Sequence, residues 1–190
     1  MNTSSNPEHI ITQLRRIVES DKRSEIRLNA NGGNSILLVC PPEFEYEYIH
    51  KLMEMMPSDT YVLIDINEML ISFVESHKLD LAEMFDLLRG SVHQIFKAPE
   101  GETSPDLYKH LLAAIERSFN ENKIPVLIHS GALYGSGIDN IHIMENELVM
   151  RSKFPLIILY PATQDGEQLM FLNSRLASKY RCMIINERIA

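Results

Sequence analysis

The amino-acid sequence predicts an α/β fold of three layers, in which helices flank a mainly parallel, five-stranded sheet. Five short runs are almost continuously apolar, which is typical of strands buried on both faces. Stretches with apolar residues at three- and four-residue intervals separate these runs and predict amphipathic helices. Parallel neighbouring strands need a crossover connection, so the alternation of strands and helices favours a parallel sheet. The length of 190 residues fits a single domain over 1–190.

The predicted elements follow from these patterns in chain order. The strands are predicted at Ser35–Cys40, 61–66, 124–130, 154–160 and 181–186. An N-terminal helix is predicted over 7–28, and a helical insertion over about 67–123 separates the second strand from the third. Within this insertion Ser104 is the expected cap of a helix with Pro105 in its first turn. Further helices are predicted over 44–56, 140–150 and 166–178, the last capped by Asp165.

Composition and charge narrow the possible functions. With 18 Lys and Arg against 26 Asp and Glu, the net charge is −8, which disfavours nucleic-acid binding. Nucleic-acid binding through a local basic patch near the N-terminus stays open as an alternative. Acidic residues are interleaved in this patch, and that pattern favours a solvated helix face over a binding surface. The basic residues of this patch are Arg15, Arg16, Lys22, Arg23 and Arg27.

Location follows from the apolar segments and the cysteines. No apolar run approaches the roughly 20 residues that span a bilayer, and Met1 to Glu8 show no signal-peptide pattern. Cys40 and Cys182 both lie inside apolar runs, where we expect reduced, buried thiols. The sequence therefore predicts a cytoplasmic protein with no membrane contact.

The exit of the first strand resembles the setting of a phosphate-binding P-loop, but its residues do not fit that role. A P-loop needs G-x-x-x-x-G-K-[ST], in which backbone N–H groups and a lysine surround the phosphates. Here residues 40–48 read CPPEFEYEY, with two prolines, three glutamates and neither glycine nor lysine. We therefore expect a degenerate P-loop-like scaffold without ATP hydrolysis and without a nucleotide cofactor.

An enzymatic alternative uses residues at the predicted strand ends. Cys40, Asp65 and His129 would supply a thiol nucleophile, an orienting carboxylate and a base if the strands bring them together, as in a hydrolase or nucleotide-processing enzyme. Two prolines directly after Cys40 are unlike a nucleophile elbow, so no catalytic residue is assigned. No metal ligand is assigned either, because a single acidic residue at a strand end is a common turn and cap.

Two segments carry a family resemblance. Residues 125–134 read PVLIHSGALY, a strand that ends in a small-residue loop, and residues 154–169 read FPLIILYPATQDGEQL. The second contains the pattern Y-P-x-x-x-D-G-x-x-L, and together the two segments resemble the BrxB family of BREX bacteriophage-defence systems. The family's loop after the third strand typically reads Gly-x-Gly followed by an aromatic residue and Pro; here residues 130–135 read SGALYG, without the Pro, so the chain resembles a divergent member. The matching residues are Gly131, Tyr134, Tyr160, Pro161, Asp165, Gly166 and Leu169.

This resemblance implies a non-enzymatic accessory or adaptor subunit. It implies action through association with protein partners, namely a PglZ-like protein of the alkaline-phosphatase superfamily and a large BrxC-like ATPase. The seven matching residues are then candidates for the interaction. The loop after the third predicted strand, residues 131–137, is either a tight connection or a binding loop for a partner or small ligand.

Overall fold

A computed structural model describes residues 6–20, 23–99, 101–102, 106–166 and 168–186. No helix within these ranges has the length and apolarity needed to cross a membrane. The helices are α1 (Pro7–Glu19), α2 (Arg23–Asn29), α3 (Glu45–Met55), α4 (Ile66–Ser76), α5 (Lys78–Leu87), α6 (His93–Phe96), α7 (Leu107–Asn120), α8 (Asn140–Met144) and α9 (Glu147–Arg151). The strands are β1 (Ser35–Cys40), β2 (Tyr61–Asp65), β3 (Ile124–Ile128), β4 (Leu156–Asp165), β5 (Gln168–Phe171), β6 (Arg175–Leu176) and β7 (Cys182–Ile185).

The sheet confirms the predicted α/β class. Five strands lie in the order β2-β3-β4-β1-β7, and every neighbouring pair along this path is parallel. β5 pairs antiparallel with the second half of β4, and β6 pairs antiparallel with β5. The carboxyl ends of the parallel strands therefore meet along one edge, the usual ligand-binding edge of such sheets.

Two apolar clusters fill the space between the sheet and its helices. All six residues of β1 are buried, and successive side chains go to opposite clusters, as the pleat of a strand requires. One cluster packs β1 against α1 and α3, and includes Leu14, Tyr48 and Leu52. The other packs it against α4 and α7, and includes Phe73, Leu111 and Ile115. Helices thus cover both faces of the sheet.

The predicted helix over 166–178 is wrong, because the chain forms a β-hairpin there. β4 continues past Tyr160 to Asp165, and Gly166 opens the turn with a φ of +58°, a left-handed conformation that suits glycine. Beyond the turn Leu169 and Phe171 alternate into the core, with the two-residue period of a strand. Asp165 lies in the ladder opposite Gln168, so its predicted role as a helix cap is also wrong.

Two other helical predictions are corrected. The helix predicted over 7–28 is two helices, because the backbone turns extended at Ser20, with ψ at 170°. The helix predicted over 140–150 is also two, because the Asn146 side chain accepts from the Leu148 N–H and starts α9. α7 begins at Leu107 under the cap of Asp106, while the predicted cap Ser104 and the neighbouring Pro105 lie outside the described residues.

Candidate functional site at the carboxyl edge of the sheet

The exit of β1 offers little to a phosphate group. The chain leaves the strand through Pro41 and a short 3-10 turn over Pro42–Phe44, and the two prolines have no N–H to donate. No side chain caps α3, and the charged groups of this segment are the carboxylates of Glu43, Glu45 and Glu47. A phosphate here would meet acidic repulsion where a P-loop supplies N–H groups and a lysine.

Glu45 is the one glutamate of this segment that turns inward. Its Oε1 atom is buried and has no hydrogen-bond partner among the described residues. Burial raises the pKa of its carboxyl group; a smaller contribution from His129 lowers it, and the negative charge of Asp65 raises it. The first turn of α3 thus brings a partly desolvated carboxyl group into the electrostatic field of residues at the ends of β2 and β3.

Asp65 and His129 are brought together by the pairing of β2 with β3. Asp65 lies opposite Ile128, so the next residue, His129, is beside it, and Nδ1 of His129 is 2.9 Å from Oδ2 of Asp65. Oδ1 of Asp65 accepts from the N–H groups of Asn67 and Glu68 and so caps α4. One carboxylate therefore fixes both a helix start and the orientation of an imidazole.

The backbone of His129 is itself unusual. Its φ of 55° and ψ of 40° place a residue with a Cβ in the left-handed region, where such strain is found more often at functional sites. With one ring nitrogen held by Asp65, an imidazole can exchange a proton through the other one. The pair has the chemistry of a proton acceptor and its orienting partner.

Cys40 does not complete the predicted triad. Its side chain is fully buried, and burial raises the pKa of the thiol, with further increases from the charges of Glu45 and Glu43. A thiol that stays protonated and has no access to solvent is a poor nucleophile. Cys182 is also buried, and burial raises its pKa to about 12. Of the three predicted residues, the structure joins Asp65 and His129 only.

Two residues of the family resemblance lie at a different feature, a cavity of about 160 Å³ beside the ends of β3 and β4. Tyr134 and Tyr160 line it, whereas Leu169 lies in β5 and is buried. Pro161 is buried within β4, and Gly166 is exposed at the hairpin turn. Gly131 packs its backbone against Leu172, whose side chain would contact a Cβ at this position.

The sequence patterns did not indicate most of the groups on the hairpin side of this cavity. Phe171 stacks on Tyr160 with ring centroids 4.6 Å apart and planes inclined by 19°. Arg175 pairs with Asp139 at 3.0 Å and joins β6 to the start of α8. A helix over 166–178 would have placed Phe171 and Arg175 elsewhere. The signal for the hairpin is Gly166, the first of the two positions between the paired residues Asp165 and Gln168, where tight hairpin turns favour glycine.

Two of the basic residues near the N-terminus, Arg15 and Arg27, have structural partners, whereas Arg16 is exposed and has none among the described residues. Arg15 pairs with Glu19 at 2.9 Å, and Arg27 donates to the carbonyls of Met150 and Ser152. Lys22 and the side chain of Arg23 lie outside the described part of the chain, so the predicted basic patch is seen only in part. Within the described ranges no group of three or more His, Cys, Asp or Glu residues is placed to hold a metal ion.

Comparison with known proteins adds no relative to this picture. No family model matches the chain, no curated protein matches it, and no solved structure matches it. The proposal below therefore draws on the family resemblance of residues 125–134 and 154–169 and on the geometry of the chain.

Proposed function

We propose that this protein is a non-enzymatic adaptor subunit of a bacterial BREX-type phage-defence system, and that it works in the cytoplasm. Its partners would be a PglZ-like protein of the alkaline-phosphatase superfamily and a BrxC-like ATPase. The identity of the system follows from the resemblance of residues 125–134 and 154–169 to the BrxB family. The scaffold would be a degenerate relative of P-loop proteins that keeps the strand-to-helix exit after β1 without its phosphate chemistry.

The observation that carries an adaptor function is the distribution of exposed apolar side chains. Five of the large hydrophobic residues with high exposure lie on two consecutive helices, α4 and α5. Leu79 and Leu87 are 84% and 82% exposed. Concentrated apolar exposure of this kind is typical of surfaces that bind other proteins. The five residues are Ile71, Val74, Leu79, Phe85 and Leu87.

The exit of β1 supports the non-enzymatic part of the proposal. Adaptor subunits need a stable scaffold and a recognition surface, whereas an NTPase needs N–H groups and a cation at the phosphates. In this chain prolines and glutamates occupy that exit. ATP turnover is therefore not expected.

The test is co-purification with the PglZ-like and BrxC-like proteins encoded in the same defence system. We expect the tagged full-length chain to retain at least one of them in a fixed stoichiometry through gel filtration. Replacing both Leu79 and Leu87 with Asp would put two charges into the proposed surface and reduce retention at least tenfold.

A matched control separates this surface from general damage. Leu28 on α2 is 79% exposed but lies on a different helix, so Leu28→Asp is expected to leave retention unchanged. Retention of neither partner by the wild-type chain would contradict the proposal, and so would equal losses with both variants. ATP hydrolysis that disappears on replacing Glu43 or Asp65 would contradict the non-enzymatic part.

One specific observation favours a second candidate, a hydrolase or nucleotide-processing enzyme that uses His129 and Asp65. It is the 2.9 Å contact between the two side chains together with the left-handed backbone of His129. Turnover of a panel of nucleotides, phosphomonoesters and carboxylic esters would test it. This candidate requires activity that His129→Asn removes and Cys40→Ser retains, since the thiol is buried.

A further inference from the structure

The cavity beside β3 and β4 has the size of a small ring compound. Its volume is about 160 Å³, close to the roughly 150 Å³ of an engineered apolar cavity in another protein that binds benzene. Protein interiors contain few voids larger than a water molecule, so an open space of this size in a natural core is notable. It also lies at the carboxyl edge of a parallel sheet, where ligands of α/β proteins usually bind.

The deeper wall of the cavity is apolar and partly aromatic, and the polar residues Ser130, Asn140 and Ser178 also line the cavity. Ile66, Leu127 and Ile158 form its deeper part, and each is at most 1% exposed to solvent. The stacked rings of Tyr160 and Phe171 add a flat surface to the wall. Apolar and aromatic walls are typical of small-molecule sites, and a planar ring packs well against such a surface.

One polar group inside this wall has no partner. Tyr160 is only 4% exposed as a whole residue, and none of the described residues forms a hydrogen bond with its hydroxyl group. The hydroxyl oxygen is not fully enclosed, so it is open to the cavity that Tyr160 lines. Tyrosine hydroxyls in such places usually find a hydrogen-bond partner, which a bound molecule can supply here. Burial raises the pKa of this hydroxyl, with smaller opposing contributions from Asp139 and Arg175, so it stays protonated and can donate.

The mouth of the cavity offers no net charge. Arg175 and Asp139 line it, and they face each other through two contacts, both at 3.0 Å. Because each charge is already matched by the other, a charged ligand would have to separate the pair. Tyr134 stands at the same mouth with about half of its surface exposed. These features favour an uncharged ligand.

We propose that this cavity is a binding site for a neutral, single-ring aromatic or heteroaromatic compound whose hydroxyl or carbonyl oxygen hydrogen-bonds with the Tyr160 hydroxyl. The site goes beyond the adaptor function, since it lies away from the exposed apolar residues of α4 and α5 and needs no protein partner. Two segments that are far apart in sequence, the loop after β3 and the β4–β5 hairpin, build it together.

The experiment uses the full-length protein with phenol as the probe, benzene as its apolar counterpart and benzoate as its charged counterpart. Titration followed by calorimetry or by ligand-observed NMR is expected to show saturable binding of phenol and at least fivefold weaker binding of benzoate. Tyr160→Phe keeps the ring and removes the hydroxyl, so it is expected to weaken phenol at least fivefold and leave benzene unchanged.

Two further variants test the location. Leu133 lines the cavity, and Leu133→Phe is expected to abolish binding of both phenol and benzene by filling the space. The matched control is Tyr108→Phe, because the Tyr108 hydroxyl donates to the carbonyl of His142 and does not line the cavity. Tyr108→Phe is expected to leave phenol binding intact.

Absence of saturable phenol binding, or equal phenol affinity in wild type, Tyr160→Phe and Leu133→Phe, would overturn the proposal. Loss of phenol binding with Leu133→Phe decides the location even if Tyr160→Phe does not fold.

Discussion

The two halves of the carboxyl edge differ in how the chain leaves its strands. After β1, β2 and β3 the chain turns directly into helices or 3-10 turns, and carboxylates and an imidazole collect there, namely Glu45, Asp65 and His129. After the parallel part of β4 the chain stays extended, folds back as a hairpin and forms one side of the cavity that Tyr160 and Phe171 line. The character of a strand-end site thus depends on the exit taken: a sharp exit leaves polar groups open, and an extended one covers the edge with apolar side chains.

The largest expected loss of stability is at Tyr160, in the half of the carboxyl edge that the β4–β5 hairpin covers. Tyr160→Ala removes a ring stacked on Phe171 and enlarges the existing cavity, so we expect a loss of about 3–5 kcal/mol in the free energy of unfolding. Urea denaturation followed by circular dichroism measures it. Tyr160→Phe serves as the control and is expected to cost less than about 1 kcal/mol, since the hydroxyl has no partner to lose. Equal losses in both variants would contradict this view of the cavity wall.

An intermediate loss of stability is expected at Asp65, in the half of the carboxyl edge where Glu45, Asp65 and His129 lie. Asp65→Ala removes the cap of α4 and the partner of His129, and a lost cap costs about 1–2 kcal/mol in the free energy of unfolding. Asp65→Asn keeps a capping oxygen and is expected to lose less than half as much. If the two variants were equally destabilised in urea, the contact of the carboxylate with His129 would dominate, and capping would not be the main contribution of Asp65 to stability.

The smallest effect concerns Glu45 and depends on pH. Its pKa is higher in the folded state than in the unfolded chain, where it is about 4.3, so ionisation of this carboxyl group opposes folding. That opposition is absent below the unfolded pKa and complete above the folded one. Glu45→Gln is therefore expected to melt at a higher temperature than wild type at pH 7, with the difference vanishing below about pH 4.

The exposed neighbour Glu47 provides the control for this measurement, because Glu47→Gln removes the same charge from the same helix without a buried atom. Thermal melts of both variants across this pH range suffice. A stabilisation of equal size in Glu47→Gln would mean that the net charge of the helix start, and not the desolvation of Glu45, sets the effect.

The sequence predicts the parallel strands, whereas local spacing does not predict the hairpin. β1 and β3 are continuously apolar because both faces are covered by helices, and that pattern is visible in sequence. Asp165-Gly166 fits a helix cap as well as a hairpin turn, and the decision lies in the alternation of Leu169 and Phe171 and in pairing with β4. Such pairing is a tertiary interaction that local spacing does not encode.

The site could be predicted only as a set of candidates. That Asp65 and His129 end strands follows from the apolar runs, but their contact requires β2 and β3 to be neighbours, which the strand order decides. Cys40 also ends a strand, yet β1 lies between β4 and β7, so its thiol is enclosed. The unpartnered hydroxyl of Tyr160 could not be foreseen, since the residues around it come from the hairpin.

The cavity also has a thermodynamic consequence. It is open to solvent where about half of Tyr134 and of the Arg175 side chain is exposed, so water can enter it in the folded state. A compound that binds here would exchange these waters for contacts with the deeper apolar wall. Because apolar surface would be buried in the exchange, its binding is expected to have a negative heat-capacity change.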